Sequence, residues 1–340
     1  MSTVVLSAPI FDHLDHLTDE RGLFEHAHYS TPRREHGYCV DDVARGLVVV
    51  CRQPISTAVL LRLEACYLDF VLEAITPDGS CHNRMNAAGD WTDRAALGDW
   101  WGRALWGLGA ATSRATSGRM RERALAGFRL AAGQRSRHLR AMVFAALGAA
   151  EILGTQPNEP CARTILAETI SRIGAVGQDP SWLWPEPRLT YSNGALAEAL
   201  ILAGAALRDA PALARGLLLL SFLMRVESRD GHLSVTPVGG RGPGEVGPSF
   251  DQQPIEVAAL ADACATAYRI THDPRWLLGI RRSWDWFEGL NDSQTRMFDP
   301  ATGAGYDGLE RDGCNLNQGA ESTLAMLSTA QHAQRLKALR

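Results

Sequence analysis

Ionisable and aromatic side chains crowd together at several places where a helix is about to begin. The densest run is Arg33-Arg34-Glu35-His36-Gly37-Tyr38-Cys39-Val40-Asp41-Asp42-Val43-Ala44-Arg45. An aspartate at a helix start caps free backbone N–H groups and complements the helix dipole. Two adjacent aspartates cannot both cap, and Arg45 follows Asp41 by one turn, placed to pair with it. That spacing leaves Asp42 to face a cleft, with Glu35, His36, Tyr38 and Arg45 beside it as binding candidates. A second group, Gly98-Asp99-Trp100-Trp101-Gly102-Arg103, also opens a helix. Adjacent indoles on a helix diverge by about 100°, so one of Trp100 and Trp101 is expected to reach a cleft, where an indole stacks on the apolar face of a sugar ring. Asp99 and Arg103 stand four apart, the spacing of a helical ion pair.

Three more groups share this form. In the stretch from Ser181 to Asn193, Trp182 and Trp184 are at strand spacing and point the same way, Glu186 can pair with Arg188, and Tyr191 and Asn193 meet the next helix. Aromatics interleaved with acids and amides in a loop suit a ligand surface. Gln252 and Gln253 precede Pro254 at a helix start, and Asp251 and Glu256 flank it so that both can reach one mouth. The glycine-rich stretch from Gly239 to Gly247 would supply a flap over that mouth. Finally, Asn317 and Glu321 open the last helix as a cap and a first-turn acid, and Arg137 with His138 adds a sixth polar helix start.

The elements that must position these residues are helices. Apolar periodicity near 3.6 residues predicts eleven of them, over 40–53, 56–75, 95–114, 119–132, 138–154, 161–174, 192–208, 211–226, 254–271, 275–289 and 319–337. Several are rich in Ala and Leu on more than one side, so they pack against neighbours on two faces. Tight linkers such as Gln53-Pro54, Ser117-Gly118, Asp209-Ala210-Pro211 and His272-Asp273-Pro274 reverse the chain into hairpins. They alternate with long polar linkers over 76–94, 175–191, 227–253 and 290–318, which therefore gather at one end. Three of the long linkers carry an Asp-Gly turn, at Asp78-Gly79, Asp230-Gly231 and Asp307-Gly308. The third of these adds Tyr306 and Asp307 to the binding candidates.

Composition removes other classes of function. In 340 residues, 34 basic against 38 acidic side chains leave a net charge of −4, which does not suit a protein that grips nucleic acid phosphates. No run approaches the roughly 18 apolar residues of a membrane span. The segment from Met1 to Ile10 lacks the basic region and cleavage site of a secretory signal, so a cytoplasmic address is expected. Seven cysteines without ligand-like spacing read as small core residues. Arg45 occupies the last position of a DDxxD-like pattern that begins at Asp41, where it would repel a magnesium diphosphate. The GxGxxG matches at 242–247 and 303–308 sit outside any βαβ unit, and neither HExxH nor GxSxG occurs. No metal and no nucleotide cofactor is expected.

The alternation of helical hairpins and long loops over residues 35–335 resembles the six-hairpin glycosidase superfamily. The resemblance implies an all-α (α/α)6 toroid whose loops form a carbohydrate-binding cleft on one face. Residues 1–340 would make a single domain, with 1–34 an N-terminal extension or the first outer helix, and a twelfth helix is sought in the region 8–20. If alternate helices form the inner ring, the six polar helix starts converge on one opening. An acidic, aromatic-lined cleft without metal or nucleotide signals suits an oligosaccharide, cleaved by one protonated and one ionised carboxyl group. The pool for these two roles is Asp42, Asp99, Glu186, Asp251 and Glu256. The alternative within the same toroid is a sugar 2-epimerase or isomerase. Trp284-Asp285-Trp286-Phe287 and Phe298-Asp299-Pro300 are similar in style to the last hairpin of such enzymes, and His36, His138 and His232 would shuttle protons. A non-catalytic glycan-binding protein is a further possibility.

Overall fold

The computed structural model describes residues 9–54 and 56–338, so the reading of residues 1–8 lies outside the described part. Twelve helices are present among the described residues: α1 (Asp12–His16), α2 (Val40–Arg52), α3 (Ala58–Ala74), α4 (Asp99–Arg114), α5 (Gly118–Ala131), α6 (Leu139–Thr155), α7 (Pro160–Ile173), α8 (Asn193–Leu207), α9 (Ala210–Val226), α10 (Pro254–Thr271), α11 (Arg275–Phe287) and α12 (Ala320–Ala338). All eleven periodic segments are helical, and α1 falls in the region where the twelfth was sought. None of the helices is long and apolar enough to cross a membrane.

Each even-numbered helix packs on the next, from α2 to α4, α6, α8, α10 and α12, and α12 returns to α2. The six form a closed inner ring. Around them α3, α5, α7, α9 and α11 each pack on the inner helix before them, and short α1 packs on α12. The sequence dictates this division. In α8 nearly every residue from Asn193 to Ile201 is buried, as a helix enclosed on all sides requires. In α5 only Ala124, Phe128 and Ala131 are buried, a single stripe at helical spacing. The closest inner pair is α4 with α6, where Gly109 and Gly148 let the two backbones touch. A Cβ on either glycine would run into the carbonyl of the facing helix.

Each inner helix reaches its outer partner through a short turn, and each outer helix reaches the next inner one through a longer linker at the opposite end. Thr57 caps α3 by accepting from Leu60 N, and Asp209 caps α9 by accepting from Ala212 N at 2.9 Å. At the other end all six inner-helix N-termini come together beneath the loops. Small antiparallel ladders stiffen these loops, pairing Tyr38–Cys39 with Arg84–Met85, Ser228–Arg229 with His232–Leu233, Phe298–Asp299 with Ala304–Gly305, and Gly308–Glu310 with Gly313–Asn315. Asp230 and Gly231 form the expected tight turn, both at positive φ. Asp307-Gly308 does not: Gly308 begins a strand, and that hairpin turns at Arg311 and Asp312 instead.

Candidate active site

A cavity of about 460 Å³ opens where the N-terminal ends of the inner helices meet. Its wall holds seven carboxylates (Glu25, Asp41, Asp42, Asp99, Asp251, Asp307 and Glu321) and three guanidinium groups (Arg45, Arg84 and Arg103). Tyr191, Gln253, His26, Cys39, Asn315, Gly319 and Ser322 complete the lining.

The ion pairs differ from those the helical spacing suggests. Arg45 does not pair with the Asp41 carboxylate. It donates to Asp42 at 2.5 Å and to Glu321 of α12 at 2.7 Å, while its Nε bonds the Asp41 carbonyl. Arg103 does not pair with Asp99 but crosses from α4 to Asp41 at 2.8 Å. Two of these three pairs cross between neighbouring inner helices, because the guanidinium groups are buried and a buried cation needs a carboxylate beside it whichever helix supplies one. Asp42 is therefore not free in the cleft: it is 3 % exposed and held by Arg45. Burial, partly offset by Arg45, pushes its carboxyl up to about 7. Burial works the same way on Glu321, but there Arg45, together with Arg103 and His26 nearby, outweighs it and holds the group below its ordinary value.

The exchange of partners leaves Asp99 without an ion pair among the described residues, and burial together with the Asp41 charge pushes it up. Asp251 is also unpaired. Its Oδ1 is buried with no hydrogen-bond partner, and burial with Glu310 and Asp307 nearby pushes the carboxyl up to about 6. The loop that carries it is firmly held. Gln252 exchanges two backbone hydrogen bonds with Leu309, at 3.0 and 2.8 Å, and its buried side chain donates to Asp292 at 2.7 Å and accepts from Trp286 Nε1 at 3.3 Å. Gly308 lies directly against Asp251, and any Cβ there would strike Oδ1. In the ring of six, α4 and α10 stand opposite one another, so Asp99 at the start of α4 and Asp251 just before α10 belong to opposite sides of the mouth.

Besides Asp42, two more of the five acids proposed for catalysis are turned to other tasks. Glu256 is buried and accepts from the backbone of Ser192 and from Asn193 N and Nδ2 at 3.2 and 3.1 Å. Glu186 does not pair with Arg188 but accepts from Arg140 at 2.9 Å, and neither it nor Glu256 lines the cavity. Arg188 instead clasps Glu245 at 2.6 and 3.1 Å, tying the glycine-rich loop to the Trp182 loop.

The aromatic lining is also thinner than expected. Trp101 is fully buried, and Trp100 packs on the core and donates to Cys81 O at 2.7 Å, so neither indole lines the cleft. Trp182 and Trp184 both donate to Glu186, at 3.0 and 3.2 Å, with Trp184 in the core. Tyr38 is buried and donates to Asp19 at 2.7 Å. Tyr191 is the one aromatic residue on the cavity wall among the described residues.

Glu35, His36, Arg137, His138, Asn193, Gln252, Tyr306 and Asn317 lie off the wall, as do Trp100, Trp101, Trp182 and Trp184. Asn317 bonds Tyr29 N at 2.9 Å. Asp307 lines the cavity while capping α12, accepting from Gly319 N at 2.8 Å and Ser322 Oγ at 2.6 Å. The wall residues that sequence reasoning passed over include Glu25, His26 and Arg84. They stand at no helix start: the pairing of Cys39 with Arg84 brings in Arg84, which bonds Glu25, and the Phe24–Tyr38 bridge with the Ala320 N–H donating to Glu25 O at 3.0 Å brings in the Glu25–His26 segment. Ligand atoms of Glu25, Cys39 and Asp42 come within 4.8 Å of one another. They do not fit a cation site, because burial holds the Cys39 thiol far above its ordinary value and Arg84 and Arg45 already engage the two acids.

No family model matches this sequence, and no curated protein does either. Solved structures do. A sugar epimerase from a ruminal bacterium superposes with a TM-score of 0.72 at 13% identity, covering 97% of each chain. Cellobiose 2-epimerase from Bacillus thermoamylovorans gives 0.71 at 13% identity over 96% of each chain. A family 76 α-mannanase from Bacteroides thetaiotaomicron gives 0.66 at 10% identity, covering 97% of this chain and 94% of its own. The fold is the six-hairpin (α/α)6 toroid. Within it, the opening formed by the inner-helix N-termini carries both unpaired carboxylates described above.

Proposed function

We propose that this chain is a carbohydrate-active enzyme that carries out acid–base chemistry in the loop-side cavity, with Asp99 and Asp251 acting on a sugar held between them. The observation that carries the reading is the pair itself: two carboxyl groups with neither a counter-ion nor a hydrogen-bond partner among the described residues, on opposite sides of one polar mouth. A group poised near 6, such as Asp251, is suited to give a proton to a leaving oxygen, and an opposed carboxylate is suited to activate water. On this reading the reaction is glycoside hydrolysis. Asp42, Glu321 and Asp41, held by Arg45 and Arg103, bind hydroxyl groups and set the field rather than exchange protons. The substrate is an oligosaccharide, and neither nucleic acid nor a membrane takes part.

A second reading, 2-epimerisation or isomerisation of a sugar, draws support from the fold likeness to a sugar epimerase, a cellobiose 2-epimerase and a D-mannose isomerase. Opposed carboxyl groups can also remove and return a proton at carbon. The histidines first considered for that role, His36, His138 and His232, do not line the cavity, and His26 on its wall lies beside Glu25 at 3.6 Å. Incubation with a panel of oligosaccharides and free sugars, followed by chromatography and a reducing-end assay, separates the two. Release of new reducing ends, lost in Asp99→Asn and in Asp251→Asn, supports hydrolysis. Interconversion without release selects the second reading, and neither outcome with any sugar overturns both.

A further inference from the structure

We propose that Tyr191 is the platform on which a pyranose ring stacks, and that Arg140 is the residue that positions it. This deepens the reading of the cavity as a sugar site and rests on it. Tyr191 is 39 % exposed, and it stands at the start of α8, across the ring from Asp42 and Arg45 on α2. A pyranose between them would lay its apolar C–H face on the phenol ring and turn its hydroxyl groups to the carboxylate–guanidinium wall. That is the division of labour an amphipathic ring requires.

The segment that presents Tyr191 is gripped from both sides. From α6, buried Arg140 donates from Nε to Tyr191 O at 2.9 Å and from Nη2 to Glu186, Thr190 and Asn193. The same guanidinium lies 5.7 Å from the centre of the Tyr191 ring. From α10, Glu256 bonds the backbone of Ser192 and Asn193. Between the two grips Ser192 has φ of 48°, a left-handed conformation that a residue with a side chain adopts only when its surroundings hold it. Two buried side chains, one from each of the inner helices that flank α8, thus fix one turn, and the side chain that turn delivers to the cavity is Tyr191.

The test is sugar binding by calorimetry and saturation-transfer NMR on the full chain, with the panel above, followed by kinetics on whichever sugar binds. Tyr191→Ala is expected to weaken binding about tenfold and to raise KM with kcat changed by less than about threefold, while Tyr191→Phe stays within about twofold. Arg140→Lys, which keeps the buried charge but loses the fork, is expected to weaken binding about fivefold. The same change in the Tyr191→Ala background should add nothing, because Arg140 acts through that ring. Unchanged binding in Tyr191→Ala overturns the platform, and an equal cost of Arg140→Lys with and without Tyr191 overturns the positioning role. If the parent chain binds no sugar at all, the functional reading itself fails and this proposal falls with it.

Discussion

Arg45 and Arg52 stand two turns apart on α2, and each is buried and pairs with a carboxylate from another inner helix. At the loop end Arg45 holds Asp42 and Glu321. At the far end Arg52 holds Asp262 at 2.8 Å, which also bonds Ser328 at 3.1 Å and His332 at 2.6 Å. Both ends open into cavities, and the far one, about 660 Å³, is the larger. What differs is the supply of partners. At the far end Glu151 pairs with Arg114 at 2.8 Å and Glu198 accepts from Thr266 at 2.8 Å, so every acid there is engaged. Although burial opposes it, Arg52 and His332 hold Asp262 well below the usual carboxylate range, whereas Asp251, without a partner, is pushed up. Neither cavity size nor buried charge distinguishes a reactive end from a structural one. An unpartnered carboxyl group at a helix N-terminus is what marks the loop end, and on the proposed reading that end is the reactive one.

The contrast can be broken most directly by exchanging roles. Asp251→Asn is expected to cut turnover at least about 100-fold with little change in melting temperature. Asp262→Asn should leave turnover within about threefold while costing about 3–5 kcal/mol of stability, because Arg52 is left buried without its partner. Turnover assays and denaturant melts on both variants check this, and the opposite pattern would reverse the comparison. Gly308→Ala tests the placement of Asp251 without touching its charge. The added methyl displaces Oδ1, and an activity loss of about tenfold or more is expected in the same assay.

Proton linkage sharpens the difference further. If Asp251 acts as the acid, kcat/KM falls as pH rises through about 6, and a pH–rate profile should lose that limb in Asp251→Asn. Stability follows another set of groups. Burial raises Asp42 to about 7, and Glu198 and Glu256 to about 8, so the folded chain holds protons that the unfolded chain releases. Stability from these groups is therefore full near pH 4 and is lost as pH rises toward 8. The low value of Asp262 acts oppositely, but only below about pH 4. Melting curves should shift down by about 5 °C between pH 5 and pH 8, and a flat or rising profile would contradict these shifts.

Much of the fold was legible because amphipathic periodicity and linker length are local properties. The inner helix α8 and the outer helix α5 differ in pattern enough to be told apart before any packing is known. The polar helix starts were legible for the same reason, and Asp42, Asp99, Asp251, Arg45, Arg103, Tyr191, Gln253, Asp307 and Glu321 do meet at one cavity. Partner choice was not legible. The rule of three and four residues sees only one helix, whereas Arg103 pairs with Asp41 across two, and Glu256 and Arg140 bind backbone on a third. The tryptophans misled because an indole beside a loop reads as exposed, while in the ring Trp101 and Trp184 fill space between helices.

Closure of the ring by α12 has a consequence for how the chain acquires its shape. The last helix packs on both α10 and α2, and it delivers Glu321 to Arg45 and Ser328 and His332 to Asp262. Until it docks, α2 has an open flank and the arginine-bound acids at both ends lack a member. Its contacts with α2 join segments from opposite ends of the sequence, the kind of pairing that forms late and slowly. Without α12 the five other hairpins form an open arc, and the cavity lacks the Glu321 side of its wall. On the proposed reading, a chain whose α12 has not docked is expected to be inert, because neither end of the toroid has its full set of side chains.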